Sequence, residues 1–276
     1  MYYKLISLMP KTAASAFDPD AQAFITAAAI TDVTQQNAIN TLVLAFKGYG
    51  IWTKFKAIWP IVGGTASQHK FNLKDPRDLD AAFRLTFATG WTHSATGMLA
   101  NSATFANTSL NLNTQTTLFN VHYSIYVRNN TDTGLDMGVA NSDIGYRFEG
   151  WMAARVGGFA QGGFYDNDAG IYGGGIKVAN VDSRGMFISN AVAMNNQFLR
   201  KNNSTLGTWT ALGVTSLPAN TTIYLGAAHL ENTGAAIANT DHQYAFASIG
   251  DGLTLTDAAN FYTAVQAYQT TLSRQV

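Results

Sequence analysis

The sequence predicts a mainly β, antiparallel sandwich with a helical segment at its N-terminus and one closing helix at its C-terminus. Three observations carry that expectation. From about residue 79 the period of apolar residues is two, as where Val121, Tyr123, Ile125 and Val127 alternate with His122, Ser124, Tyr126 and Arg128. Such runs recur between clusters of Asn, Gly and Asp, a punctuation that belongs to sandwiches and barrels and not to βαβ units. Apolar residues form 47% of the 276-residue chain and charged residues only 12%, so core material is ample and disorder is excluded.

In chain order, Asp18-Pro19 places a capping side chain before a proline, and Ala21, Phe24, Ile25 and Ala28 follow at helical spacing. Asp32 is a second cap candidate. The stripe Ile39, Leu42, Val43 and Phe46 ends at Lys47-Gly48, a cation and a glycine suited to a helix C-terminus. A further helical turn is predicted over Trp52 to Ile58, before Pro60 and Gly63-Gly64. Half-buried strands are then expected where Ala81, Phe83, Leu85 and Phe87 alternate with Ala82, Arg84 and Thr86 and again over 121–128. Further strands are expected at 143–151, 170–178, 184–189, 197–200, 206–211, 222–229 and 242–248. Thr256 is the expected cap of a last helix over Asp257 to Leu272, whose face Phe261, Val265, Tyr268 and Leu272 should dock on a sheet. The division this suggests is a helical attachment segment, 1–75, and a sandwich with its closing helix, 76–276.

Chemistry is hard to place. Glutamate occurs only at Glu149 and Glu231, whereas glycosidases need a pair of carboxyl groups at set separation. Asp166 and Asp168 have one-face spacing, but Gly162-Gly163 and Gly170 around them favour a turn, and the further acids of a Ca²⁺ loop are missing. The five histidines lack zinc spacing, the glycine-rich middle matches no phosphate-binding pattern, and the serines sit in no nucleophile elbow. The glycines are expected to make bulges, hairpins and close backbone approaches. Zero cysteines leave the fold to packing alone. The run Leu5 to Met9 is too brief for a signal-peptide core or a membrane span.

Two clusters are candidates for recognition. Arg147, Trp151, Tyr165, Asp166, Asn167 and Tyr172 combine flat rings with planar polar groups, the chemistry that stacks on sugars and bonds their hydroxyls. Between Val33 and Lys74 there is no acid, and Lys47, Lys54 and Lys56 interleave with Trp52, Phe55 and Trp59. Such interleaving can serve nucleic acid or membrane. The helical spacing of those aromatics favours docking on protein instead, and the formal net charge of zero argues against capture of a polyanion.

The segments "HKFNLKDPRDLDAAFRLTFATGWTHSATGMLAN" (69–101) and "YAFASIGDGLTLTDAANFYTAVQAYQTTLSRQV" (244–276), with "FDPDAQAFITAAAITDVTQQNAINTLVLAFKGYGIWTKFKAIWPIVGG" (17–64), resemble a group of phage and prophage virion structural proteins. The resemblance implies a concanavalin A-like, laminin-G-like jelly roll used in tails, fibres or head decoration. The group's Arg-Asn-Gly hairpin tip is represented here by Arg200-Lys201-Asn202-Asn203, without the glycine. It implies a virion location, other virion proteins as partners through the helical segment, a homo-oligomer with a trimer expected, and host surface glycan as ligand. No catalytic residue, cofactor or metal transfers with it, and neither nucleic-acid binding nor membrane insertion is expected. A spike or fibre-like adhesin is the leading expectation and a capsid decoration or connector protein the alternative. A polysaccharide depolymerase using Glu149, Asp166 and Asp168 is a third.

Overall fold

The computed structural model describes residues 17–141, 147–165, 175–210 and 220–276. The Leu5–Met9 run therefore lies outside the described residues, as do 143–146, 170–174 and 211 of the expected strands. The first two helices form as their caps dictate. In α1 (Pro19–Ala27) Asp18 accepts a hydrogen bond from the Asp20 amide, and in α2 (Val33–Gly48) Asp32 accepts one from that of Gln35. Beyond α2 the expectation of helix over Trp52 to Ile58 is corrected. A 3₁₀ turn, Trp52–Lys54, leads straight into strand β1 (Phe55–Trp59). The period-two pattern at 81–87 is also corrected, because Asp80–Ala82 forms a 3₁₀ turn and Phe83 takes a left-handed conformation. Only β2 (Thr86–Phe87) is extended there.

After the one-turn helix α3 (Ala66–His69) and β2, the chain runs through β3 (Thr92–Ser94), β4 (Gly97–Leu99), β5 (Ala106–Asn111) and the short α4 (Leu112–Gln115). It continues as β6 (Val121–Val127), β7 (Met137–Asn141), β8 (Arg147–Val156), β9 (Phe159–Phe164) and β10 (Ile176–Ala179). Then come β11 (Gly185–Ala193), β12 (Asn196–Lys201), β13 (Ser204–Trp209), β14 (Thr222–Leu225), β15 (Ala228–Leu230) and β16 (Ala235–Ile237). The run expected as one strand over 222–229 is thus two, broken at Gly226, whose φ is +86°. Last are β17 (Gln243–Gly250) and α5 (Leu255–Thr271). The cap of α5 is Thr254 and not Thr256; it forms a capping box with Asp257.

Among the described residues the strands make two antiparallel sheets. The first has the order β13-β12-β11-β6-β17-β4-β3, with β1 added to β17; the second has the order β10-β9-β8-β7-β14-β5-β2, with the β15–β16 hairpin laid beside β7. The β15–β7 pairing is the one parallel pairing between these strands. Between the sheets lies one apolar core that includes Trp59, Tyr123, Ile125, Met152, Phe164, Phe187 and Tyr244. A second core joins the opposite face of the first sheet to α1, α2 and α5 through Phe24, Phe46, Phe55, Tyr126, Phe246 and Phe261.

This three-layer stacking explains two departures from expectation. All seven residues of β6 are buried, not half of them, because His122, Ser124 and Tyr126 face the helical layer instead of water. Nor is there a boundary at residue 75. β1 pairs with β17 from Phe55↔Gly250 to Trp59↔Ala247, and α2 packs on α5, so the N-terminal segment is a structural layer of the sandwich. At the β12–β13 turn Asn202, with φ +53°, takes the left-handed position a glycine would occupy, and its Oδ1 accepts from the Met186 amide.

Candidate recognition face

With helices over one sheet, the outward face of the second sheet is open along β5 and β2, while the β15–β16 hairpin covers it at Trp151. Strand β5 shows it most plainly. Ala106, Thr108 and Leu110 are buried, while Asn107, Ser109 and Asn111 are half-buried on the outward side. Ser109 has φ +57°, and its amide donates to Asn107 Oδ1 at 2.8 Å, a local kink beside which the β14–β5 register shifts. Thr86 pairs with Asn107, and Asn107 with Tyr224, so three outward side chains form one row across β2, β5 and β14. Neighbouring strands lie about 4.8 Å apart, so the row spans about 10 Å.

A ladder of rings crosses this row. Phe105 stacks on Tyr224 with centroids 4.3 Å apart, and Tyr224 stacks on His229 at 3.8 Å with the planes within 7°. Phe105 is half-buried, and among the described residues it belongs to none of the apolar cores. His229 Nδ1 lies 2.6 Å from the Thr222 carbonyl, which can only accept, so the proton is on Nδ1. Burial lowers the pKa of His229 despite that bond, and burial raises that of Tyr224. Both rings are therefore neutral near pH 7.

Beside the ladder runs a chain of planar polar groups. Asn111 Nδ2 donates to Asn220 Oδ1 at 2.7 Å, the Asn220 amide donates to Glu231 Oε1 at 2.9 Å, and Asn141 Nδ2 donates to Glu231 Oε2 at 3.0 Å. Tyr224 and His229 are 6% and 8% exposed and Tyr224 carries a ring on each face, so within the ladder the half-buried Phe105 is the ring that offers a flat surface, and the amides and carboxylate beside it supply the groups that bond sugar hydroxyls. Of these residues only Glu231 and His229 drew notice in the sequence, neither as part of a recognition surface. The alternation of Asn107, Ser109 and Asn111 with apolar neighbours was the signal that could have found them, but the Phe105–Tyr224–His229 ladder joins residues too distant for any spacing rule.

The sugar platform expected at Arg147, Trp151, Tyr165, Asp166, Asn167 and Tyr172 is corrected in its aromatic part. Trp151 is 2% exposed, packed with Leu135, Ala140, Ala153, Ala228 and Leu230 where the β15–β16 hairpin folds over the sheet. Tyr165 is equally buried, in edge contact with Phe119 and with its hydroxyl 3.2 Å from Thr116 Oγ1; burial pushes its pKa up to about 12. Asp166, Asn167 and Tyr172, and the Arg147 side chain, lie outside what is described. The backbone does bring the ends of β8 and β9 together, since the Tyr165 amide donates to the Glu149 carbonyl.

The expected partner-contact residues are an internal seam. Phe55 and Trp59 are 3% and 0% exposed, and Trp52 lies under the Lys74 ammonium at 3.9 Å. Lys47 pairs with Asp18 and Asp20, Lys54 with Asp257, and Lys56 with Asp251. The acids missing from 33–74 come from either end of the chain, so the local basic excess is cancelled by the fold. Among the described residues no three His, Asp or Glu side chains gather as a metal site, and no helix is long and apolar enough to cross a membrane.

No protein-family model and no curated protein sequence matches the chain. Solved structures match it in fold. The binding domain of botulinum neurotoxin DC, in complex with rat synaptotagmin II, superposes with a TM-score of 0.53 at 11% identity, over 78% of this chain and 53% of that one. A Trypanosoma rangeli sialidase in complex with sialic acid gives 0.51 at 7% identity, over 82% of this chain and 38% of the sialidase. A mutant of the same sialidase displaying trans-sialidase activity gives 0.50 at 8%, over 87% and 40%. The chain thus spans about two fifths of the sialidases and about half of the neurotoxin domain. At these identities the likeness establishes the β-sandwich fold and nothing finer.

Proposed function

We propose that this chain is a non-catalytic recognition protein that binds carbohydrate on the outward face of its second sheet. In that reading it serves as a surface adhesin of a bacteriophage particle, spike or fibre-like, touching host cell-surface glycans. The observation that carries the binding reading is the outward row Thr86, Asn107, Ser109 and Asn111 set beside the half-buried Phe105 ring, Asn220 and Glu231, on a sheet face over which no helix lies among the described residues; the buried Tyr224 and His229 back the Phe105 ring and hold it in place. The virion setting rests on the resemblance of 17–64, 69–101 and 244–276 to phage structural proteins. The low charge content supports it, because a polar but uncharged surface suits glycans and protein neighbours better than polyanions. A homo-oligomer, a trimer by the same resemblance, fits weak single sugar sites that gain from multivalency.

The test is a glycan array probed with the assembled protein and with Phe105→Ala and Tyr224→Ala variants. Binding by the wild type and its loss in both variants, with circular dichroism showing both still folded, is the expected result, and Tyr224→Ala, at a 6% exposed position, is expected to lower the unfolding midpoint as well. Binding that survives both substitutions places the ligand elsewhere. Particles lacking the protein separate adhesion from cement: lost adsorption is expected, and lost particle stability with intact adsorption would favour a decoration or connector role.

A further inference from the structure

We infer that the recognition face continues past Thr86 into a second subsite, a cleft between α3 and β2 that takes an uncharged hexose of the same glycan. The inference rests on the reading of the sheet face as glycan-binding and adds to it a chain length and a charge class.

The cleft is an open depression of about 380 Å³ lined by Ser67, Lys70, Arg84, Leu85, Thr86 and Phe87. Thr86 belongs to both sites, since it is also the end of the row Thr86–Asn107–Tyr224. β2 is the edge strand of its sheet, so nothing in the sheet lies between the row and the cleft. The partly buried Phe87 supplies apolar surface over a floor that includes the buried Leu85, and Ser67 and Thr86 supply hydroxyls. The charged side chains come in a matched set. Lys70 Nζ is 2.5 Å from Asp78 Oδ2, Arg84 Nη1 is 2.8 Å from Asp78 Oδ1, and Arg84 Nε is 2.8 Å from Asp80 Oδ1. The hydrogen bonds from Lys70 and Arg84 hold the Asp78 carboxyl below its usual range, so it stays ionised through neutral pH.

Two cations against two carboxylates leave no net charge to attract an anionic sugar. With their charge matched by Asp78 and Asp80 just outside the lining, Lys70 and Arg84 leave N–H donors beside the Ser67 and Thr86 hydroxyls, which both donate and accept, a pattern that suits neutral sugar hydroxyls. The walls are held in place. The Leu85 amide donates to the Lys70 carbonyl at 2.8 Å, and His69 Nδ1 lies 2.9 Å from His93 Nδ1, fastening α3 to β3. Gly63 and Gly64, at φ +99° and +133°, make the sharp entry into α3 that few other residues would allow.

The experiment is calorimetric titration of the full chain with neutral oligoglucosides, oligogalactosides and oligomannosides of two and four residues, alongside the same backbones carrying a uronate. For the glycan that binds, two polar contacts in the cleft predict roughly tenfold tighter binding of the tetrasaccharide than of the disaccharide, about 1.4 kcal/mol. A Ser67→Ala/Arg84→Ala double variant should lose that gain and keep disaccharide affinity, whereas Tyr224→Ala should weaken both. Affinity should change less than about twofold between roughly 50 and 500 mM NaCl, because no net charge is engaged. Equal affinity for the two lengths, an undiminished gain in the double variant, or preference for the uronate overturns the cleft while leaving the sheet face standing. No binding by any neutral or charged oligosaccharide overturns both.

Discussion

Acid should loosen this fold at one identifiable residue. His122 is fully buried on β6 beneath α5, with Nδ1 2.6 Å from the Asp251 carbonyl and Nε2 3.3 Å from Ser248 Oγ. The rings of Phe55 and Phe261 stand edge-on to it at 5.4 and 5.8 Å. Burial, with the Lys54 ammonium adding to it, pushes its pKa from 6.5 down to about 4. A histidine depressed in the folded state favours folding above its unfolded pKa, and that advantage shrinks as pH falls from 6.5 toward 4, because the unfolded chain takes up the proton first. Linkage with those two values gives a loss of about 2 kcal/mol between pH 7.5 and 5.0.

The perturbation is His122→Gln, which keeps a donor for the Asp251 carbonyl and removes the titration. Urea unfolding of wild type and variant at both pH values reads it. Other groups titrate in this window too, so the quantity of interest is the change in the gap between the two proteins: the variant should gain about 2 kcal/mol on the wild type as pH drops. A gap that is the same at both pH values within about 0.5 kcal/mol would show that His122 does not carry the proton linkage assigned to it.

His242 should behave with the opposite sign. It is fully buried 2.6 Å from Asp136, which also accepts from the Tyr244 hydroxyl at 2.6 Å and the Ala154 amide at 2.6 Å. Burial alone would lower its pKa, but the charge and hydrogen bond of Asp136 overcome this and raise it above 6.5. Its contribution is therefore complete below pH 6.5 and lost as pH rises through the folded value, by at most about 1.4 kcal/mol per pH unit for one proton. Unfolding curves from pH 6 to 9 should show this decline in the wild type and not in Asp136→Asn; parallel curves would refute it. Arg274 is 1% exposed, and its guanidinium donates to Gln269 Oε1 and to the carbonyls of Pro60, Ile61 and Ala245, tying the C-terminus to the sheet. With hydrogen bonds to a charged group contributing about 1.5–3 kcal/mol each, Arg274→Met should cost at least about 3 kcal/mol in urea unfolding. A loss under about 1 kcal/mol would contradict that role.

What could be read from the chain ahead of the fold followed the range of the physics involved. Capping at Asp18 and Asp32 and the stripe Ile39–Phe46 are decided within one or two helical turns, and both helices formed where expected. Strand β12 and the Gln243–Gly250 strand were legible from alternation alone. Trp52, Phe55 and Trp59 misled because their helical spacing is also met by a short turn followed by a strand, and the hydrogen bonds that settle it come from β17 at the far end of the chain. Lys54 and Lys56 misled for the same reason, their partners Asp257 and Asp251 being equally remote. Trp151 was read as a platform because composition cannot say which sheet face a hairpin will cover, and β15–β16 covers that one. The outward row of β5 was within reach of period-two reasoning; its meeting with Tyr224 and His229 was not.

The claim on which the function turns is that glycan lies on the outward face of the second sheet. Backbone and side-chain NMR shifts recorded during titration with a host polysaccharide fragment test it most directly. The expected perturbations centre on Thr86, Phe105, Asn107, Asn111, Tyr224 and His229 and leave α1, α2 and α5 untouched. Perturbations confined to the helical layer, or a spectrum unchanged at millimolar fragment, would contradict it.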